Sequence, residues 1–377
     1  MESVNPTTGK IDNHWLGYLR RLSSLRQFAP LNSLSDAHFM VLVEQCDLKA
    51  AVAGQSFSLC NATTKTFLLH GRIDLSRQGT RIEQLEGGES LFALAEDELA
   101  PLDVLALTDI EYVQIEKNVL NQLLTWSQVA DYLHQQIALE RDYDEDVDWM
   151  MSLLHSNLFL KVPPTQILAI FSLFRSRLVM AGETIIKQGE IGDSCYFIKE
   201  GVAKVNREQA GESFLVAEIR EGRCFGEDAL VNKAPRNASV TMACDGVLMY
   251  LSAMDFAKLL EEPRVTHMGL SEALDKATLI DVRSEAEYSR WHLPKAVNIP
   301  LNLLAMKKRL LNHETHYVCY CESGHRSKAA AHLLSLQGFT VFALADCESL
   351  LDKSHQVYRQ AMPHYLLQQG VAVPENS

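Results

Sequence analysis

The amino-acid sequence predicts a multidomain α+β protein, with two β-roll (jelly-roll) domains that carry flanking helices and one α/β domain. An internal repeat supports the two rolls: residues 22–54 and 151–182 share a short helix, a Phe-containing turn, an amphipathic helix and an Ala-Gly pair. Short strands separated by glycine turns follow each Ala-Gly pair, which is typical of a β-roll. Beyond about residue 265 strands alternate with helices, which indicates a parallel sheet.

The same pattern sets the expected limits of the domains and their elements. We expect domains at residues 15–130, 145–262 and 268–365. Closing helices are predicted at 117–124 in the first copy and 253–262 in the second, and the tail from Pro363 is expected to be frayed. In the third domain we predict strands at 278–283, 316–321 and 339–345 and a helix at 327–337.

Composition and charge exclude several classes of protein. With 47% hydrophobic and 22% charged residues among 377, and no apolar run of about 18 residues, we expect a soluble globular chain without membrane spans. The N-terminus lacks the pattern of a secretory signal, and the eight cysteines form no CxxC pairs, which favours the cytoplasm. A net charge of −13 argues against binding to nucleic acid.

The segment FGEDALVNKAPRNASV, which starts at Phe225, has the residue types that an anionic cyclic phosphate and a ribose require. The guanidinium of Arg236 can pair with phosphate oxygens, and the carboxylate of Glu227 can accept the ribose 2′-hydroxyl. Gly226 allows the backbone to approach closely, while backbone N–H groups near Ala229 and Ala238 can cradle the phosphate. A buried salt bridge in a structural turn is the alternative interpretation.

This segment closely resembles the phosphate-binding cassette of the cyclic-nucleotide-binding domain family, and GEIGDSCYFIKEG at 189–201 resembles that family's glycine-rich strand-turn-strand. The resemblance covers roughly residues 150–262. It implies that Glu227 binds the ribose and Arg236 the phosphate, with cAMP or cGMP as a regulatory ligand. Asn237 follows the arginine and leaves the choice between the two open, with cAMP favoured.

The first copy of the repeat is predicted to have lost this site. When Pro101 is aligned with Pro235, Phe92, Ala93 and Leu102 stand in place of the glycine, glutamate and arginine of the cassette. Apolar residues there would fill a pocket. We expect a dimerisation or docking role for this copy, and a different apolar ligand is the alternative.

A cysteine loop follows the predicted strand 316–321 and precedes a predicted helix. N–H groups at a helix start favour the thiolate of Cys321, Gly324 permits the tight turn, and Arg326 adds positive charge. The remaining loop residues are Glu322, Ser323, His325 and Ser327.

With its upstream segment, this loop resembles the rhodanese (sulfurtransferase) family over about residues 270–350. The matching motifs are Asp281-Val-Arg283, Glu287-Tyr288, His292-Leu-Pro294, Ala296-Val-Asn-Ile-Pro300 and CxxGxRS at Cys321–Ser327. The resemblance implies that Cys321 takes sulfane sulfur as a persulfide from a donor and passes it to a thiol acceptor. Trp291 and Lys295 depart from the family, where glycines are usual.

Two further cysteines lie near this loop in the sequence. Cys319 is expected to be a core residue of the strand. Cys347 either approaches Cys321 and resolves its persulfide or is a spare buried cysteine, and the second interpretation is favoured.

The leading hypothesis is a bacterial, cytoplasmic signalling protein in which a cyclic nucleotide allosterically controls a sulfurtransferase. A nucleotide-sensing module whose rhodanese domain only docks a partner is the second hypothesis, and a transcription regulator is the third. We predict no metal site and no prosthetic group, and the sequence leaves dimerisation open.

Overall fold

The computed structural model describes residues 22–59, 63–95, 101–139, 147–154, 156, 162–351 and 358–375. The chain divides into two compact units, one of residues 1–128 with 266–377 and one of residues 129–265. In the described ranges, no helix is long and apolar enough to cross a membrane.

The first copy of the repeat is an antiparallel roll. Its strands are β1 (Leu48–Ala51), β2 (Ser56–Leu59), β3 (Thr64–His70), β4 (Arg72–Arg77), β5 (Thr80–Glu86), β6 (Leu102–Ala106) and β7 (Ile110–Glu116), and its helices are α1 (Asp36–Gln45) and α2 (Lys117–Leu139). The sheets have the orders β1-β7-β3 and β2-β6-β4-β5. The prediction that the closing helix ends at residue 124 was wrong: buried Trp126, Val129 and Leu133 continue its apolar face.

The second copy repeats this architecture. Its helices are α3 (Val147–Leu154), α4 (Ile167–Leu173), α5 (Glu227–Val231) and α6 (Ala253–Leu259). Its strands are β8 (Arg175–Val179), β9 (Thr184–Ile186), β10 (Ser194–Glu200), β11 (Val202–Gln209), β12 (Glu212–Arg220), β13 (Cys224–Phe225), β14 (Ser239–Met242) and β15 (Gly246–Ser252). They form two sheets, β13-β10-β15-β8 and β12-β11-β14-β9. Helix α6 begins at the predicted residue, where Ser252 accepts the N–H of Asp255 at 3.1 Å, but it ends at Leu259 and not at residue 262.

The third domain is an α/β layer. Its strands are β16 (His267–Met268), β17 (Thr278–Asp281), β18 (Val297–Asn298), β19 (Tyr317–Tyr320) and β20 (Val341–Leu344), and its helices are α7 (Leu270–Lys276), α8 (Glu285–Arg290), α9 (Leu304–Lys307) and α10 (His325–Ser335). All pairings in the sheet β16-β20-β19-β17-β18 are parallel, which confirms the predicted fold class. Strands β17, β19 and β20 are shorter than the three predicted strands, and α10 begins and ends two residues earlier than the predicted helix at 327–337.

The expectation of a frayed tail was wrong. Strands β21 (Tyr365–Gln368) and β22 (Val371–Pro374) form a hairpin. The N–H of Tyr365 donates to the hydroxyl of Tyr288 at 3.1 Å, and the hydroxyl of Thr278 donates to the carbonyl of Gly370 at 3.3 Å. These bonds hold the hairpin against the α/β domain.

Candidate functional sites

The six predicted nucleotide-binding residues of the second copy line one cavity of about 190 Å³. They are Gly226, Glu227, Ala229, Arg236, Asn237 and Ala238. The wall contributed by β9, β11, β12 and β14 is apolar, with Ile186, Val205, Ile219 and Val240. Glu227 and Arg236 are nearly buried, whereas Asn237 is exposed at the rim. The cavity therefore combines an apolar surface with the carboxylates of Glu227 and Asp228 and the guanidinium of Arg236, which suits a ligand with a base, a hydroxyl and an anionic group.

Arg236 is held in place by acceptors at one end of the cavity. Its guanidinium donates to the carbonyls of Gly226 at 2.7 Å and Ser194 at 2.6 Å, and to the carboxylate of Asp193 at 3.3 Å. These bonds fix the plane of the guanidinium before any ligand arrives, which lowers the cost of ordering the side chain.

Two glycines make room for this arginine. Gly226 has φ 84°, and a Cβ there would lie 2.7 Å from Ile186 Cδ1 and 2.8 Å from Arg236 Nη1. Gly226 was predicted from the sequence, but Gly192 was not; a Cβ at Gly192 would lie 2.8 Å from the Cβ of Ala229. The glycine-rich turn at 189–201 was the available signal. Both positions require glycine because the cassette packs directly against them.

The corresponding positions of the first copy are filled by packed side chains. Leu102 belongs to the buried core of that roll, together with Ile73 and Val104. Phe92, which stands in place of the cassette glycine, lies under the guanidinium of Arg290 at 4.6 Å. Arg290 ends helix α8 of the α/β domain, so this face of the first copy is a packing surface within the chain.

Cys321 lies directly after β19, where the chain turns into α10, and its side chain is fully buried. The N–H of Gly324 donates to Cys321 Sγ at 3.1 Å, and Ser327 Oγ lies 3.6 Å from the same sulfur. Gly324 has φ 84°, the backbone conformation that glycine favours. The loop thus points the backbone N–H of Gly324 at the sulfur and places the hydroxyl of Ser327 beside it.

The other residues of the loop take different positions. Arg326 and Ser327 are buried within the first turn of α10, whereas His325 is exposed and has its Nδ1 3.2 Å from Ser323 Oγ. Glu322, Ser323 and Gly324 line a cleft beside the loop. The two residues of the loop that the sequence predicts to act in catalysis, Cys321 and Arg326, are both buried, and a backbone N–H donates to the sulfur of Cys321.

Arg326 is part of a buried ion pair that sequence reasoning missed. Its guanidinium donates twice to the carboxylate of Glu287, at 2.8 and 2.7 Å. Burial alone would raise the pKa of Glu287, but the charge of Arg326 outweighs it and holds that pKa well below the usual range. Arg283 and Asp281 form a second buried pair at 2.6 Å. Arg326 therefore anchors α10 to α8 as well as placing charge near the sulfur.

Cys347 is one of the groups that set the pKa of Cys321. Burial raises the pKa of Cys321, but a hydrogen bond from the Cys347 thiol, the charge of Arg326 and hydrogen bonds from Ser327 lower it, so that the pKa lies well below that of an ordinary thiol. The same hydrogen bond, together with burial, raises the pKa of Cys347 well above the ordinary value. The opposite directions of the two shifts favour the thiolate on Cys321 and the thiol on Cys347. The direction of this shift is the one expected from the loop, and Cys347 adds a lowering contribution that the sequence did not indicate.

The first copy contacts the cysteine loop through Lys65. Its Nζ lies 2.9 Å from Glu322 Oε2, and both side chains are largely buried. Burial raises the pKa of Glu322, but the charge of Lys65 outweighs it and lowers that pKa. Beside this pair lies a cleft of about 1080 Å³. Residues such as Lys117 and Asn121 of α2 line one side, and Gly324, Lys328 and Cys347 line the other.

Comparisons with known proteins identify a family for each of the two domains that hold these sites. Residues 176–262 match the family model for the cyclic nucleotide-binding domain, and residues 266–346 match that for the rhodanese-like domain. The chain therefore carries a cyclic nucleotide-binding domain followed by a rhodanese-like domain, as the sequence predicted.

Among curated proteins, the chain is 43% identical over 81 residues to the cAMP-dependent protein kinase type II regulatory subunit of Drosophila melanogaster, covering 21% of each chain. It is 35% identical over 127 residues to the cAMP-dependent protein kinase regulatory subunit of Dictyostelium discoideum, covering 33% of this chain and 38% of the relative. The chain thus spans well under half the length of these relatives. A solved structure, the regulatory domain of Toxoplasma gondii PKA with cAMP, matches at 18% identity and a TM-score of 0.27, over 67% of this chain and 94% of that chain.

Proposed function

We propose that the protein is a cytoplasmic sulfurtransferase that responds to a cyclic nucleotide, with cAMP as the favoured ligand. The observation that carries the enzymatic part is the cage around Cys321, in which Gly324 N–H, Ser327 and Cys347 surround a buried sulfur whose pKa is depressed. A thiolate is the nucleophile that sulfur transfer requires.

In the proposed reaction the Cys321 thiolate attacks the outer sulfur of a sulfane donor such as thiosulfate. The sulfur–sulfur bond of the donor breaks, sulfite leaves with the electron pair, and Cys321 carries the transferred sulfur as a persulfide anion. The N–H of Gly324, which donates to Cys321 Sγ, is placed to stabilise the charge of the attacking thiolate. A thiol or cyanide acceptor then takes the outer sulfur and regenerates the thiolate.

For the regulatory part, the cavity around Arg236 is proposed to bind the cyclic phosphate, with Glu227 accepting the ribose 2′-hydroxyl. Support comes from the apolar wall, which can cover a purine, and from Arg236, whose position is already fixed by Gly226 and Ser194. The kinase regulatory subunits that resemble this region are named for cAMP.

A rhodanese-like domain that only docks a partner is the second candidate function. The observation in its favour is the complete burial of Cys321, since a sulfur donor reaches this sulfur only if a covering group moves. Under this hypothesis the nucleotide would control binding of the partner and not catalysis.

The test is a titration with cAMP and, separately, cGMP while thiosulfate-to-cyanide sulfur transfer is measured. We expect transfer that disappears in Cys321→Ser and persists in Cys244→Ser, a matched variant of an exposed cysteine. Absence of transfer with and without either nucleotide would contradict the enzymatic proposal and favour the docking module. The same titration, followed by calorimetry, shows which nucleotide binds.

A further inference from the structure

Cys347 lies between the buried sulfur of Cys321 and the cleft. On one side Cys347 Sγ is 3.8 Å from Ser327 Oγ, the hydroxyl that lies 3.6 Å from Cys321 Sγ. On the other side Cys347 lines the cleft, whereas Cys321 does not. A small molecule in the cleft therefore meets Cys347 before it meets Cys321.

The backbone around Cys347 holds the thiol in this position. Asp346 precedes it with φ 51°, which turns the chain sharply after β20. The Cys347 thiol also lies 3.4 Å from the carbonyl of Leu344. The sequence showed only that Cys347 follows the last strand; its placement opposite Cys321 comes from the parallel pairing of β19 with β20, which puts the ends of both strands at one edge of the sheet.

We propose that Cys347 is a resolving cysteine, which converts the persulfide of Cys321 into an intramolecular disulfide and releases hydrosulfide. This inference rests on the proposed formation of a persulfide on Cys321. The sulfur of Cys347 attacks Cys321 Sγ, and the bond between Sγ and the outer sulfur breaks. The outer sulfur takes the Cys347 proton and leaves as HS⁻, so that one disulfide forms and no external oxidant is required.

Thiols that enter the cleft then reduce the disulfide. One thiol attacks Cys347 Sγ, which lines the cleft, and Cys321 leaves as the thiolate. Cys321 is the better leaving group because the lower-pKa thiol leaves faster. A second thiol attacks the mixed disulfide on Cys347, yields the oxidised thiol and restores the Cys347 thiol. Overall, thiosulfate and two thiols give sulfite, hydrogen sulfide and one disulfide of the small thiol.

The cleft indicates which kind of thiol this is. Its lining carries both signs of charge, with the ammonium groups of Lys117 and Lys328 beside four carboxylates, those of Glu116, Glu322, Asp346 and Glu348. A small zwitterionic thiol with an ammonium group and carboxylates matches such a surface better than a purely anionic one. Glutathione is a suitable probe of this class.

The experiment compares full-length wild type, Cys347→Ser and Cys244→Ser after incubation with thiosulfate in the absence of thiols. Intact mass under non-reducing conditions and hydrosulfide release are recorded. Wild type and Cys244→Ser should lose about 2 Da, yield a cross-linked peptide pair containing Cys321 and Cys347, and release about one hydrosulfide per chain. Cys347→Ser should keep a gain of about 32 Da on Cys321 and release no hydrosulfide. Glutathione should then return the wild type to its starting mass.

The possible outcomes distinguish the resolving role of Cys347 from the proposed formation of a persulfide on Cys321. If wild type keeps the added sulfur as Cys347→Ser does, Cys347 is not a resolving cysteine, and sulfur transfer to Cys321 still stands. If Cys347→Ser gains no sulfur, the persulfide itself does not form, and both proposals are overturned. Serine retains a hydrogen-bond donor at position 347, so a loss of the thiolate of Cys321 does not account for either result.

Discussion

Lys65 Nζ lies 2.9 Å from Glu322 Oε2, in a largely buried ion pair between residues 257 positions apart. Lys65 belongs to β3 of the first copy, and Glu322 directly follows Cys321. The same roll makes a second contact with the rhodanese-like domain, in which the ring of Phe92 lies beneath the guanidinium of Arg290. The first copy therefore contributes an ion pair to the cysteine loop.

Lys65→Met should destabilise the protein and disturb the loop. Removing one partner of a buried pair leaves an uncompensated charge, which costs on the order of 3–5 kcal/mol. The pKa of Glu322, now lowered chiefly by the charge of Lys65, should rise in the variant. Urea unfolding measures the loss of stability, and the alkylation rate of Cys321 reports on the disturbance of the loop.

The controls for this prediction are Lys49→Met, an exposed lysine of the same roll, and the double variant Lys65→Met/Glu322→Gln. The double variant removes both charges and should recover much of the stability. Equal stability of wild type and Lys65→Met would show that the pair contributes nothing.

Glu287→Gln should lower the free energy of unfolding by about 3–5 kcal/mol, because it leaves the buried guanidinium of Arg326 without its carboxylate. Glutamine can still accept from the backbone N–H of Ser284 in the capping box at the start of α8, so the variant isolates the ion pair. Glu285→Gln, an exposed position on the same helix, is the matched control and should unfold as wild type does.

The pH dependence of this difference has a defined sign. The pKa of Glu287 in the folded protein is held well below its unfolded value of about 4.3, so the pair contributes fully above that value and is lost as the pH falls through the folded pKa. The difference between wild type and Glu287→Gln should therefore stay constant from about pH 8 to pH 5. A difference that shrinks within this window would contradict the assignment.

Cys347→Ala should raise the pKa of Cys321, because it removes the hydrogen bond that lowers that pKa most. The alkylation rate of Cys321 by iodoacetamide, measured against pH in a Cys244→Ser background, follows the thiolate fraction. For wild type we expect a midpoint well below about 8.5, the value of an ordinary thiol. Cys347→Ala should shift it upward and Cys347→Ser only slightly, since serine can still donate. Coincident profiles for all three would exclude this hydrogen bond.

How much of this could be predicted depends on whether the interacting residues are neighbours in the sequence. The cassette from Gly226 to Ala238 is nearly contiguous, so its residue types alone located one cavity. The pairing of Arg326 with Glu287, the approach of Cys347 to Cys321 and the contact of Lys65 with Glu322 each join separate elements. No periodicity or local motif encodes such pairs. The β21–β22 hairpin was missed for the same reason, because its short strands are held by bonds to Tyr288 and Thr278.

Arg236→Ala should abolish most binding of cyclic nucleotide. Loss of a charge-assisted pair with a phosphate in a buried site costs on the order of 2–5 kcal/mol, or roughly 30-fold and upward in affinity. Calorimetry on the full chain should find one site in wild type and in Arg220→Ala, an exposed arginine of β12 that serves as control. If Arg236→Ala binds the nucleotide with unchanged affinity, the binding site lies elsewhere. The first copy, where Leu102 stands in place of the arginine, would then be one candidate.

The last prediction is that bound nucleotide changes the reactivity of Cys321. The chain connects the two compact units at two points. Helix α2 contributes residues to both units, and its first turn, with Lys117 and Asn121, lines the cleft beside the cysteine loop. Residues 260–266 form the second connection, between the end of α6 and the start of β16. Connections this short transmit a displacement that a long flexible linker would absorb.

Coupling requires that the nucleotide bind two conformations of the protein with different affinity. The usual scale of about 1–3 kcal/mol corresponds to a roughly 5- to 150-fold change in a coupled equilibrium. Because Cys321 is fully buried, an equilibrium that uncovers it would appear directly in its alkylation rate. Saturating cAMP or cGMP should therefore change that rate, and Arg236→Ala should erase the change while Arg220→Ala preserves it. Identical rates with and without bound nucleotide would mean that the two domains are not coupled. The nucleotide site would then act on a partner protein.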